Sequence, residues 1–176
     1  MEDLFANLAG GKAFSKLDLA HAYSQIPLTD SSKQYVTVNT HKGLYKYNRL
    51  PFGVTAAPSI FQRQMENLLQ GIPRVSIYLD DILITGTSEA DHLSTLDKVL
   101  TRLEAAGLHL KRNKCAFLLL SVEYLGHKIT ADGLQPTEEK VRAIKEAPPP
   151  TNVSQLHSFL GLVSYYSKFL PNLAKV

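Results

Sequence analysis

Two adjacent carboxylates, Asp80 and Asp81, sit between two apolar β-forming runs, Val75-Ser-Ile-Tyr78-Leu79 before them and Ile82-Leu-Ile-Thr85 after. This pattern predicts a hairpin with Asp-Asp at its tip. Tight hairpins favour Asn-Gly or Asp-Gly, and neighbouring carboxylates repel. The pair therefore makes chemical sense where a divalent cation neutralises it; a solvated acidic turn is the alternative for the tetrapeptide alone. A second strand-like run, Phe14-Ser-Lys-Leu17-Asp18-Leu19, carries a lone aspartate flanked by apolar residues, an unusual setting for a merely solvated carboxylate. Its alternative role is a helix N-cap for the turn that starts at Ala20. Between the two runs lies a Gly/Pro-rich elbow, Leu50-Pro-Phe-Gly53-Val-Thr-Ala-Ala-Pro58-Ser-Ile-Phe61-Gln62.

The remaining pattern is that of an α+β domain. Phe14 to Leu19 reads as a buried strand, and Ala20 to Gln25 as a helical turn ended by Pro27. Tyr35 to Val38 and Leu44 to Tyr47 read as strands joined through His41-Lys42-Gly43. Pro58 fits the first turn of a helix through Phe61, Met65, Leu68 and Leu69. Ser88 or Asp91 can cap a helix carrying Leu93, Leu96, Leu100 and Leu103, with Gly107 as its stop. Ala116–Leu120 and Val122–Leu125 read as short strands. Thr137-Glu-Glu-Lys140 opens another helix, and Asn152 or Ser154 caps a last one. A short helix over Leu4 to Leu8 is expected at the start. Strand, helix, hairpin, helix, strand gives a sheet with helices on one face.

With 176 residues the chain can build one good-sized core, or a core plus an appendage. Its net charge of +3 is compatible with nucleic-acid binding without establishing it. A single cysteine, Cys115, excludes an internal disulfide, suits a reducing compartment and reads as a buried thiol. No apolar run is long enough to cross a membrane, and no signal-peptide pattern opens the chain. The one low-complexity stretch, Pro148-Pro149-Pro150, is the clearest candidate boundary. His127 has no Cys or His partners at zinc-ligand spacing, and Gly10-Gly11-Lys12 lacks the spacing of a phosphate-binding loop.

The order lone aspartate, elbow, paired aspartates matches the parts of a polymerase palm. With FSKLDLAHAYSQIPL, GLYKYNRLPFGVTAAPSIFQ, YLDD, GLHLKRNKCAF followed by VEYLGHKIT, and SFLGLVSYYSKFLPNLAKV, the chain resembles the reverse transcriptase of gypsy-class LTR retrotransposons, which is similar to the retroviral enzyme. The resemblance covers nearly the whole chain. It implies a palm with a split βαβ (ferredoxin-like) sheet over residues 1–135, with a partial fingers excursion at about 27–50. The first helices of a thumb follow over 136–176. The basic fingers strands that precede FSKLDL in the family, the rest of the thumb and a ribonuclease H domain are expected outside the chain.

The resemblance further implies an RNA- and DNA-directed DNA polymerase working with two Mg²⁺ ions, for which Mn²⁺ can substitute. Asp18 and Asp80 then bridge both ions, Asp81 assists the ion near the primer end, and Lys114 protonates the leaving pyrophosphate. Lys114 belongs to a basic cluster with Lys111 and Arg112 that reads otherwise as a solvated loop. Leu19, Tyr23, Phe52 and Gly53 are the implied dNTP contacts. Tyr23 excludes the ribose 2′ hydroxyl in this reading and is otherwise a core tyrosine; Phe52 and Gly53 are otherwise a simple turn. Tyr78, Leu125, Gly126, Gly161 and Tyr165 are the implied primer–template contacts. Their alternatives are an ordinary hairpin turn for Leu125-Gly126 and helix–helix packing for Gly161 and Tyr165. The implied partners are an RNA or DNA template with primer, dNTPs, and the rest of a Pol polyprotein with its fingers, ribonuclease H and integrase. No membrane partner is implied, and the expected location is the element's cytoplasmic virus-like particle or the nucleus. Two other readings compete. One is a catalytically inactive or host-adopted palm fragment with at most weak nucleic-acid binding. The other is a two-metal nuclease, for which Tyr23 and the Phe52-Gly53 elbow have no evident purpose.

Overall fold

The computed structural model describes residues 7–169. The expected helix over Leu4 to Leu8 lies mostly outside them, as do the last residues of the final motif. The chain divides into two compact units, one up to Leu120 and one from Ser121. The Pro148–Pro150 break does not mark this division; it separates two helices of the second unit.

In the first unit β1 (Ala13–Asp18) leads through a 3₁₀ turn (Ala22–Gln25) and a one-turn helix α1 (Asp30–Lys33) to a ribbon of β2 (Thr37–Thr40) and β3 (Gly43–Lys46). Then come α2 (Ala57–Leu69), β4 (Val75–Tyr78), β5 (Asp81–Gly86), α3 (Glu89–Ala105), a 3₁₀ turn (Arg112–Lys114) and β6 (Ala116–Leu119). The four-stranded sheet has the order β4-β5-β1-β6, and each neighbouring pair is antiparallel. Strand β1, helix α2, strands β4 and β5, helix α3 and strand β6 in this order form the ferredoxin-like split βαβ arrangement.

Strand alternation sorts the two faces of this sheet. Leu17, Ile77, Ile82 and Ile84 point into one core cluster with Phe61, Met65 and Leu69 of α2 and Leu96, Val99 and Leu103 of α3. The other face carries Phe14, Lys16 and Asp18 of β1 beside Asp81 and Leu83 of β5. Helix α3 starts where the sequence places it: Ser88 Oγ accepts from the Asp91 N–H at 3.2 Å. Gly107, with φ of 68°, follows its end. Arg102 of α3 donates to the carbonyls of Leu68 and Gln70, tying down the C-terminus of α2. Gly86 leaves no room for a Cβ against His92, so α3 sits hard on the end of β5. Buried Ser15 joins the two layers: its hydroxyl pairs with His92 Nε2 at 2.7 Å and accepts the Leu118 N–H at 3.2 Å.

The β2–β3 ribbon lies two residues later on its first strand than expected, pairing Val38 with Tyr45 and Thr40 with Gly43. Every residue of both strands is exposed. The Asp80-Asp81 hairpin differs by one residue. Tyr78 pairs with Asp81, so Leu79-Asp80 is the turn and Asp81 already belongs to the strand. The apolar runs look symmetric about Asp-Asp, but the ladder is set by packing Ile77 and Ile82 on the same core face.

The second unit holds the antiparallel sheet β7 (Ser121–Tyr124), β8 (His127–Thr130) and β9 (Gly133–Pro136), followed by α4 (Glu138–Lys145) and α5 (Val153–Tyr165). The β8–β9 pairing was not expected from the sequence. Asn152 caps α5, its Oδ1 accepting the Gln155 N–H at 2.9 Å, whereas Thr137 precedes α4 without a side-chain cap.

Candidate active site

Asp18 stands at the end of β1 directly opposite Asp81 of β5. Its backbone is held on both sides: the Lys111 N–H donates to its carbonyl at 2.8 Å, and its own N–H donates to Sγ of the half-buried Cys115 at 3.5 Å. The next residue, Leu19, donates its N–H to the Asp80 carbonyl at 3.1 Å, which locks the hairpin turn to the strand end. Asp18 and Asp80 line one cleft of about 220 Å³ together with Tyr23, Phe52, Lys111 and Lys114. Lys114 Nζ lies 3.7 Å from Asp18 Oδ2. Asp81 turns elsewhere, its Oδ2 meeting Lys16 Nζ at 2.8 Å.

The turn that presents Asp80 is strained. Leu79 has φ of 55°, a left-handed conformation that costs a non-glycine residue about 1–2 kcal/mol. Gln62 of α2 offsets this as a surrogate strand: its Oε1 accepts the Leu79 N–H at 2.7 Å and its Nε2 donates to the Ile77 carbonyl at 3.0 Å. Gln25 ties the chain at Ala20 to His109 in the same manner. Its amide donates to the carbonyls of Ala20 and His109 and accepts the His109 N–H at 2.6 Å. Neither glutamine, nor Lys16, nor the contact of Cys115 with Asp18 was read from the sequence. The period-two spacing of Lys16 and Asp18 on one strand face was the available signal for the lysine.

Tyr23 rests on the buried ring of Phe61 at 5.5 Å, edge-on, with the exposed ring of Phe52 at 5.0 Å beside it. Gly53 has φ of 89° and open space where a Cβ would stand, so the turn itself explains the glycine. Leu19 also lines the cleft, but its side chain is buried in the core cluster. Tyr78 ends β4 half exposed, opposite Asp81.

In the second unit Leu125 and Gly126 form the two-residue β7–β8 turn, with φ of 49° and 77°. Positive φ at both positions defines the type I′ geometry. The Tyr166 hydroxyl donates to the Gly126 carbonyl at 3.4 Å. Tyr165 packs a ring 5.8 Å from His127 yet keeps an exposed face. Gly161 is exposed in mid-helix, with nothing within 4 Å of an added Cβ, so helix–helix packing among the described residues does not account for it.

Among the described residues, no three acidic, His or Cys side chains converge as a ready cage for a metal ion. A magnesium ion does not need one: it retains several waters and takes one or two carboxylates plus phosphate oxygens. Asp18 and Asp80 on a common cleft supply that donor set.

Residues 2–129 match the family described as reverse transcriptase (RNA-dependent DNA polymerase). The chain belongs to the reverse transcriptase family. It is 42% identical over 173 residues to the retrovirus-related Pol polyprotein from transposon opus of Drosophila melanogaster, covering 97% of this chain. It is 39% identical over 175 residues to that from transposon gypsy of the same organism, covering 98%. This reverse transcriptase chain spans 17% of the length of each of these relatives. Among solved structures, the foamy viral protease-reverse transcriptase in complex with double-stranded DNA superposes with a TM-score of 0.86 at 30% identity, over 99% of this chain and 31% of that one.

Proposed function

We propose that the chain is the polymerase core of a gypsy-class retroelement Pol polyprotein, extending a primer 3′ hydroxyl with dNTPs on RNA or DNA templates. The observation that carries this reading is the meeting of Asp18 and Asp80 in one cleft with Tyr23 and Phe52, on a ferredoxin-like sheet of this family. In this reading residues 1–135 act as palm, with a fingers portion at 27–50, and 136–176 begin the thumb. Fingers, ribonuclease H and integrase come from the rest of the polyprotein, which assembles in a cytoplasmic particle or works in the nucleus.

Asp18 and Asp80 would hold two Mg²⁺ ions, or Mn²⁺ in their place, with Asp81 assisting on the primer side. Such ions would supply Lewis-acid activation of the 3′ hydroxyl and neutralisation of charge on the pyrophosphate leaving group. The protein's own groups do the rest. Lys114 stands at the cleft beside Asp18 and donates a proton to the departing pyrophosphate. Tyr23, braced by Phe61, presents its ring to the sugar and leaves no space for a 2′ hydroxyl, so selection works by steric exclusion. Phe52 and Gly53 form the lip over the nucleotide. The I′ turn at Leu125-Gly126 steadies the primer end, and the exposed Gly161 and Tyr165 offer a groove-facing track. Complexes of the foamy viral protease-reverse transcriptase with double-stranded DNA and with an RNA/DNA hybrid support such a substrate.

Primer extension on an RNA template, with Mg²⁺ and then Mn²⁺, tests the reading. Losing a metal carboxylate forfeits several kcal/mol of transition-state stabilisation, so Asp80→Asn should lower extension by about a thousandfold with an unchanged melting curve. Extension that survives the substitution would remove Asp80 from the site.

A further inference from the structure

The charge pattern around the aspartates contains a member that nucleotide addition does not use. Lys16 lies within β1, two residues before Asp18 and on the same face of the sheet. Its neighbours on that face, Phe14 and Leu83, are fully buried, a costly setting for an ammonium without a partner. The register supplies the partner. Lys16 stands opposite Leu83, and Asp81 is the diagonal neighbour two residues along. Nζ and Oδ2 meet at 2.8 Å, with the two side chains only 30% and 27% exposed. Lys16 is also paired on its other side with Ala116 of β6, so its Cα is fixed in a central strand.

The same register sets Asp18 directly across from Asp81, and like charges directly opposed weaken a strand pair. The two lysines divide the repulsion between them: Lys114 approaches Asp18 and Lys16 holds Asp81. Lys114 is more than half exposed and sits at the cleft, whereas Lys16 is the shorter and more enclosed contact and does not line the cleft.

We infer that Lys16 is a built-in counter-ion for Asp81 that competes with the divalent cation and so sets the concentration at which the metal site fills. The inference rests on the two-metal reading above. A cation drawn into the Asp18–Asp80 cleft must either take Asp81 from the ammonium or tolerate that ammonium nearby, and both oppose binding. An ammonium on the third carboxylate also keeps the opposed aspartates compatible with a folded strand pair when no metal is bound.

Direct Mn²⁺ binding to the full chain, followed by loss of the free-ion electron paramagnetic resonance signal, tests this without relying on activity. Lys16→Met keeps the stem and removes the charge, and should tighten Mn²⁺ binding about three- to tenfold, the scale of a partly buried ion pair plus the repulsion removed with it. Lys16→Gln replaces it if the methionine variant does not fold. Lys16→Arg should stay within about twofold of the parent, because it keeps the charge that competes for the carboxylate. In an Asp81→Asn background, Lys16→Met should change the affinity less than about twofold, as expected when the coupled partner is gone. Unchanged affinity in Lys16→Met, or equal tightening with and without Asp81, would overturn the proposal. Mn²⁺ binding that survives both Asp18→Asn and Asp80→Asn would overturn the metal reading itself, a separate failure.

Discussion

The ring of Tyr23 is held in place by what lies beneath it, and the proposed sugar gate depends on that. A tyrosine free to change rotamer could yield to a ribose, but the edge-on contact with buried Phe61 and the flank of Phe52 fix the ring. Tyr23→Ala should therefore raise ribonucleotide incorporation relative to deoxynucleotides by about tenfold or more, measured as the ratio of kcat/KM values, since steric rejection depends on the ring alone. An unchanged ratio would refute the gate. At the same scale, His92 is a titratable group sealed inside the first unit. Burial lowers its pKa below the usual 6.5, because the charged ring would lose its hydration. Its Nδ1 has no hydrogen-bond partner among the described residues. Above pH 6.5 both the folded and unfolded states carry a neutral ring, so the Ser15–His92 pair makes its full contribution. As pH falls below 6.5 the unfolded chain takes up a proton that the folded chain refuses, and stability declines toward the depressed folded pKa. The slope is at most about 1.4 kcal/mol per pH unit for this one group. Thermal melts at pH 7.5 and 5.5 should show the loss, and His92→Gln should remove that share of it.

At the scale of elements, the Asp80-Asp81 hairpin depends on a neighbouring helix for its shape. Leu79 would relax out of its left-handed conformation were its N–H not taken by Gln62. Gln62→Leu leaves that N–H and the Ile77 carbonyl without their partner, and should cost about 1–3 kcal/mol of stability. It should also lower kcat more than it raises KM, because Asp80 loses its position while the Tyr23 side of the cleft stays intact. Gln62→Glu keeps the acceptor for Leu79 and should recover part of the rate; equal damage from both substitutions would assign Gln62 to packing alone. This hairpin also marks what the sequence could and could not convey. Strands and helices were legible because Leu17, Ile77, Ile82 and the Phe61–Met65–Leu69 spacing repeat with the periods of strand and helix. The aspartates were legible because carboxylates set among such residues need a reason to be there. The turn position was not, since Asp80 and Asp81 look equivalent until the ladder assigns one to the tip. Gln62 and Gln25 escaped notice because Ile77 and His109, which they tie down, lie 15 and 84 residues away, and Lys16 because the register of two strands must be known first. The β8–β9 pairing escaped because its four-residue strands carry little apolar alternation.

Over the whole molecule, the hydrophobic core sits unevenly. The main cluster runs from Leu17 to Leu103 and lies within the first unit, between the sheet and helices α2 and α3. The β2–β3 ribbon belongs to the same unit but takes no part in that cluster, and its Leu44 and Tyr45 are exposed. A two-stranded ribbon is marginally stable by itself, and this one buries neither face. Its backbone hydrogen bonds should open without waiting for the core. Native-state hydrogen exchange would then read two regimes in one chain: the amides of Ile82, Leu83 and Ile84 exchanging only through global unfolding, and those of Val38 and Tyr45 at least about a hundredfold faster through local opening. Equal protection would mean that the ribbon is energetically welded to the sheet. If the two regimes appear, denaturant will reach the ribbon's amides before the melt begins, and substitutions in the ribbon will leave the global unfolding midpoint almost untouched.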